Sequence, residues 1–229
     1  MINAVLFDLD NTLVDFRVMK DRASEAAIRA MIDSGLKLNQ KDATKLLFEL
    51  YDKHGIENQL IFNKFIKHVT GKVDYKMLAN AIVAYRRMKQ TSTEPFPHVR
   101  NTLIKLKEHG LKLGIVSDAP RMNAWLRLAE MNLTDFFSVV ITLGDSKKLK
   151  PFPNSFKKAL RALNMEPSEV LFVGDNPDRD VKGAKALGMK SCLARYGQVF
   201  VNETIKADYE INIIEELVKI IEKENSKLR

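Results

Sequence analysis

Three short apolar runs in this chain each stop at an aspartate, and the pattern between them leaves few folds open. They are "AVLFD" at residues 4–8, "LGIVSD" at 113–118 and "VLFVGD" at 170–175. Continuous runs of β-branched and aromatic residues suit strands covered on both faces, as in a parallel sheet. From residue 96 onward such runs alternate with helical patterns. "HVRNTLIKLKEHG" leads to the second run, "RMNAWLRLAEMN" to "SVVITLGD", "NSFKKALRALN" to the third run, and "DRDVKGAKALG" to "KSCLARY". This alternation specifies an α/β chain with a parallel, doubly wound, Rossmann-like sheet, to which the strand at 4–7 also belongs. The closing "ADYEINIIEELVKIIEKEN" reads as a short strand and an amphipathic helix.

The stretch from Phe16 to Pro95 breaks the alternation. Ala23, Ala26, Ala27, Ala30 and Met31 share a helical face, as do Ala43, Leu46, Leu47 and Leu50, then Phe62, Phe65, Ile66 and Val69. Gly35, Gly55 and Gly71 follow these three patterns as stops, and Leu78, Ala81, Ile82 and Tyr85 mark a fourth helix. Spacing at i, i+3, i+4 and i+7 with a glycine beyond the end indicates a small helical bundle. The expected organisation is a core of residues 1–15 and 96–229 with a helical insert at 16–95. "STEPFPH" is its return linker.

Composition removes several function classes. The formal net charge is +8, yet lysines and arginines are scattered along helices beside glutamates and form no long basic run, so a solvated surface is expected and no nucleic-acid partner. No apolar stretch reaches the roughly 20 residues of a membrane helix. Cys192 is the only cysteine, which excludes an intrachain disulfide and suits a reducing cytoplasm.

The strands of a parallel sheet end on one edge, where ligands of such folds bind. That edge gathers Asp8 and Asp10 after the first strand, Ser117 and Asp118 after the second, Lys150 beyond the third, and Asp175 through Asp180 after the fourth. Asp8, Asp175 and Asp180 would repel one another without a cation, and several oxygens around one point suit Mg²⁺. Lys150 and the Ser117 hydroxyl are groups that a phosphate's oxygens call for, and N–H groups of the turns after Asp8 and Ser117 add donors. A metal and a phosphate are therefore what this edge is expected to hold.

These residues also resemble the haloacid dehalogenase superfamily of aspartyl-phosphate hydrolases. "DLDNT" is similar to its first motif, "IVSD" to its second, Lys150-Pro151 with Pro153 and Phe156 to its third, and "GDNPDRD" to its fourth. The four occur in family order and span nearly the whole chain. The resemblance implies an Mg²⁺-dependent phosphatase with the helical insert as a cap, and with it the expected partner is a small phosphate ester. Asp8 would be the nucleophile and Asp10 the acid and base, with Thr12 orienting its loop. Ser117, Asp118 and Lys150 would bind the phosphoryl group. Asp8, the backbone carbonyl of Asp10, Asp175 and Asp180 would hold the metal. A phosphomutase shares this set. A 2-haloacid dehalogenase lacks the second aspartate, and a phospho-accepting receiver domain lacks both that aspartate and the insert. A monomer or homodimer is expected.

Blander readings stand beside several of these residues. Ser117 can cap a following helix, Asp178 is read as a helix cap, and Lys147 and Lys148 compete with Lys150. Phe16, Arg17 and Lys20, and likewise Arg86 and Lys89, are read as solvated helix faces.

Overall fold

The computed structural model describes residues 1–226 and divides into two compact units. One comprises Met1–Asp15 with the chain from Pro95 onward, and the other is Phe16–Glu94. Pro95 falls in the first unit, where residue 95 was expected in the insert, because it forms an antiparallel bridge with Val14.

The first unit opens with β1 (Ala4–Phe7), all four residues buried. The second unit follows as four helices: α1 (Phe16–Asp33), α2 (Gln40–His54), α3 (Ile61–Thr70) and α4 (Tyr75–Ser92). Asn39 caps α2 by accepting a hydrogen bond from the Asp42 N–H at 2.9 Å, and Asp74 caps α4 through Met77 at 3.0 Å. Ala27, Ile28, Met31, Leu47, Phe65, Ile66 and Ala81 form this unit's core, as the helical periodicity requires. Lys20 departs from its reading as a solvated residue. It is 5% exposed, donates to the Tyr85 hydroxyl at 2.9 Å, and lies 4.1 Å from the Tyr51 ring centroid. A long lysine stem buries readily when its ammonium finds a hydroxyl and a π-face.

Back in the first unit come α5 (Val99–Glu108), β2 (Lys112–Val116), α6 (Arg121–Glu130), β3 (Val139–Ile141), a one-turn α7 (Leu143–Ser146) and α8 (Asn154–Leu163). β4 (Val170–Gly174), α9 (Lys182–Ala186), β5 (Lys190–Ala194), β6 (Tyr209–Ile211) and α10 (Glu216–Ser226) complete it. The six strands form one parallel sheet in the order β3-β2-β1-β4-β5-β6. The order reverses about β1, which pairs with β2 on one side and β4 on the other, so Phe7 stands between Ile115 and Val173. Alternation along β1 sends Ala4 and Leu6 to one face, where they pack with Phe156, Ala159 and Leu163 of α8. Phe7 faces the other way and meets the edge of Phe137. The fold is the expected doubly wound α/β sheet, and the crevice at its switch point lies just past β1, β2 and β4.

Candidate active site

Asp8 continues β1 by one hydrogen bond, its N–H donating to Val173 O at 2.8 Å, and then the chain turns away. Leu9 O accepts from Leu13 at 2.9 Å and Val14 at 3.2 Å, and Asn11 takes φ 58°, a conformation that asparagine tolerates better than most residues. The short segment at 195–198 packs on this turn. The Tyr196 hydroxyl donates to Thr12 O at 2.8 Å, and a Cβ on Gly197 would collide with Asn11 O, so only glycine permits this approach.

Beyond β4, a π-helical turn at Pro177–Val181 carries Asp180 back toward the strand end. Such turns recur at functional sites. Asp180 accepts from the Asn176 N–H at 3.0 Å, and its carboxylate lies so close over Gly174 that a Cβ there would clash with it. The cap of this turn is Asn176, which accepts from the Arg179 N–H at 3.2 Å. Asp178, read as the cap, instead accepts from Asn202 at 2.9 Å.

Asp8, Asp175 and Asp180 each offer a carboxylate oxygen, and the three atoms lie within 4.8 Å of one another. Lys150 is 4% exposed and inserts its ammonium among them, 2.7 Å from Asp8 Oδ1 and 2.8 Å from Asp180 Oδ1, while donating to Val116 O at 3.1 Å. Lys147 and Lys148 remain exposed, so Lys150 is the lysine that the fold brings to the carboxylates. Burial pushes Asp8 up to about 8; Lys150 opposes that rise and Asp180 adds to it. Burial likewise pushes Asp175 up to about 9, reinforced by Asp180 and Asp8. For Lys150, burial favours the neutral amine, but Asp180, Asp8 and Asp118 outweigh it and hold the ammonium well above its usual range. Three buried carboxylates against one ammonium leave a deficit of positive charge. An all-oxygen donor set with such a deficit fits a hard divalent cation.

The remaining expected residues behave differently from one another. Ser117 is buried, and its Oγ accepts from the Ala119 N–H at 3.1 Å. The hydroxyl therefore serves the turn as an acceptor and keeps a proton to donate. The Asp118 carboxylate accepts the Lys150 backbone N–H at 2.9 Å and stands 3.7 Å from Arg179, so this side chain positions Lys150. Burial raises its carboxyl above the ordinary range against the pull of Lys150. Thr12 Oγ1 is 3.5 Å from Asp175 Oδ1, tying the first loop to the fourth. The Asp10 carboxylate is not among the three clustered ones; its Oδ2 lies 3.0 Å from Nη1 of Arg127, which is 1% exposed.

Sequence reasoning did not single out Arg127, Tyr196 or Gly197. For Arg127 a signal existed: it interrupts the buried stripe of α6 made by Ala124 and Leu128. The other two carry no local signal, because their role is a contact with residues far away in the chain.

Residues 5–194 match the model of the haloacid dehalogenase-like hydrolases. The chain belongs to that family. Among relatives of this haloacid dehalogenase-like hydrolase, a glyceraldehyde 3-phosphate phosphatase of Methanocaldococcus jannaschii is 34% identical, with 96% of this chain and 97% of the relative covered. Pyrophosphatase PpaX of Bacillus anthracis is 30% identical over 96% of each. A crystal structure of a HAD phosphatase from Thermococcus onnurineus superposes with a TM-score of 0.67 at 28% identity, covering 96% of this chain and 98% of that one. The protein is thus an enzyme of the phosphatase branch, with an acidic triad able to hold a metal.

Proposed function

We propose that this protein is an Mg²⁺-dependent phosphatase that hydrolyses a small alkyl phosphate, of the size of glyceraldehyde 3-phosphate, through an aspartyl phosphate on Asp8. The observation that carries the reading is the Lys150 ammonium in contact with two of three clustered carboxylates, one of which ends the central strand. The substrate class comes from the relative that matches along nearly the full chain. Residues 1–15 and 95–229 are the catalytic core in this reading, and the helical unit is its cap.

Asp8 attacks phosphorus, and the bond from phosphorus to the ester oxygen breaks. Asp10 gives its proton to the departing alkoxide, then takes one from the water that attacks the aspartyl phosphate, releasing phosphate and restoring Asp8. Ser117 donates to a phosphoryl oxygen, and Lys150 supplies positive charge to another. Asp118 keeps Lys150 in register from the backbone side. Asp8, Asp175, Asp180 and the Asp10 carbonyl would hold Mg²⁺, which would supply the counter-charge that lets a carboxylate and a phosphate dianion approach.

The test is a panel of phosphate esters assayed with Mg²⁺ and with chelator, containing glyceraldehyde 3-phosphate, inorganic pyrophosphate and 4-nitrophenyl phosphate. The reading expects kcat/KM to be highest for the triose ester and lost on chelation. Full activity in chelator, or turnover of pyrophosphate alone, refutes it.

A further inference from the structure

The pair between Arg127 and Asp10 is a close charge contact near the site that the reaction as drawn does not use. Arg127 projects from α6 in the buried stripe of Ala124 and Leu128, at a position where leucine would fill the space without a charge. Burying a guanidinium costs several kcal/mol unless a well-placed anion meets it. Its Nη1 lies 3.0 Å from Asp10 Oδ2, and the Asp10 side chain is 23% exposed while that of Arg127 is 1% exposed. A fully buried donor thus grips a carboxylate that sits at the margin of solvent.

We propose that Arg127 is a positioning residue for the acid and base Asp10, fixing the direction in which its carboxyl points. The proposal rests on the reading of Asp10 given above. A guanidinium has donors only and keeps its protons at all working pH values. The oxygen facing it must therefore remain an acceptor, because a carboxylic O–H there would meet an N–H head-on. Oδ2 stays bound to Arg127, and that contact sets the plane in which the carboxyl lies.

The opposite side of the same turn is held independently. Tyr196 donates to Thr12 O at 2.8 Å, and Gly197 presses against Asn11 O. The backbone at Asn11–Thr12 is thus fixed by the 195–198 segment and the Asp10 side chain by α6. Holding a reacting group to within about 1 Å is worth on the order of 100-fold in rate. Arg127 supplies that precision to Asp10 without touching the substrate.

The test is a double-mutant cycle on the full-length protein in Mg²⁺, read as the single-turnover rate of phosphoryl-enzyme formation. The substrates are glyceraldehyde 3-phosphate, whose alkoxide needs a proton, and 4-nitrophenyl phosphate, whose phenolate hardly does. Arg127→Met should slow the alkyl ester about 10- to 100-fold and the aryl ester less than about 3-fold. Arg127→Lys, which restores a charged donor, should recover most of the loss. In an Asp10→Asn background Arg127→Met should cost less than about 2-fold, because the group through which it acts is gone. Equal slowing of both esters, or full additivity with Asp10→Asn, would overturn the proposal and leave Arg127 as a packing residue. If Asp10→Asn itself slows both esters equally, the acid and base assignment fails and the proposal with it. Should Arg127→Met not fold, Arg127→Gln keeps an N–H donor on a shorter stem and is judged by the same two ratios.

Discussion

Lys150→Met tests how much of this core is held together by charge. The ammonium lies 2.7 Å from Asp8 and 2.8 Å from Asp180. At an effective dielectric constant of about 20 each contact is a gross attraction of roughly 6 kcal/mol. Desolvating the ammonium offsets several kcal/mol of that, so the expected net loss is the ~3–5 kcal/mol seen when one partner of a buried pair is removed. Methionine roughly matches the stem, which keeps the cavity term small. The assay is urea unfolding in chelator at pH 8, followed by tryptophan fluorescence. Trp125 is the only tryptophan, lies in the same unit as Lys150 and is 39% exposed, so its signal reports that unit. With a slope of about 2–3 kcal/mol per molar urea, the midpoint should fall by roughly 1–2 M. Asp8 and Asp175 titrate near 8 and 9 in the fold, so at pH 5 both are neutral and the loss should shrink. A change below about 1 kcal/mol at pH 8, or one that does not vary with pH, would refute the argument that carboxylates and ammonium balance here.

Asp8→Asn should fold normally and show no turnover, because an amide does not attack phosphorus; steady hydrolysis by the purified variant would remove Asp8 from its role. The raised Asp8 and Asp175 carboxyls contribute stability that is present below the ordinary carboxylate pKa of about 4 and lost as pH rises through about 8 and about 9. Thermal melts in chelator should therefore fall from pH 5 to pH 9, by up to ~1.4 kcal/mol per pH unit for each carboxyl, and excess Mg²⁺ should flatten the fall; a melting temperature indifferent to both would exclude the linkage. Gly197→Ala forces the 195–198 segment off Asn11 O, so it should cost about 1–3 kcal/mol and lower kcat more than it raises KM; an unchanged kcat would show that the turn carrying Asp10 stands without this support.

Strand ends and helix patterns were legible because period and composition are local properties. "VLFVGD" announces a buried strand and its terminal carboxylate in six letters, and the parallel topology then brings distant strand ends to one edge. The choice of Lys150 over Lys147 and Lys148 also follows the motif, and the fold buries that residue alone among the three. Side-chain direction was not legible. Asp118 faces the Lys150 backbone, Asp178 faces Asn202, and Lys20 packs between tyrosines, each decided by a partner far along the chain. Arg127 shows the same limit from the other side. A lone arginine in an apolar stripe tells that a carboxylate must await it, but not which one.

The position of β1 has a consequence for how the chain comes into being. Its two neighbours are β2 and β4, whose partners for Ala4 are Lys112 and Val170. During synthesis the first strand leaves the ribosome with both hydrogen-bonding edges open, and the contiguous Phe16–Glu94 bundle is made before either neighbour exists. An apolar strand with two bare edges is a template for association with other chains. Closure of the sheet through such distant pairings is also slow compared with helix packing. The edge that carries the candidate site therefore cannot assemble before β4 is made, and until then the nascent chain depends on whatever shields its first strand.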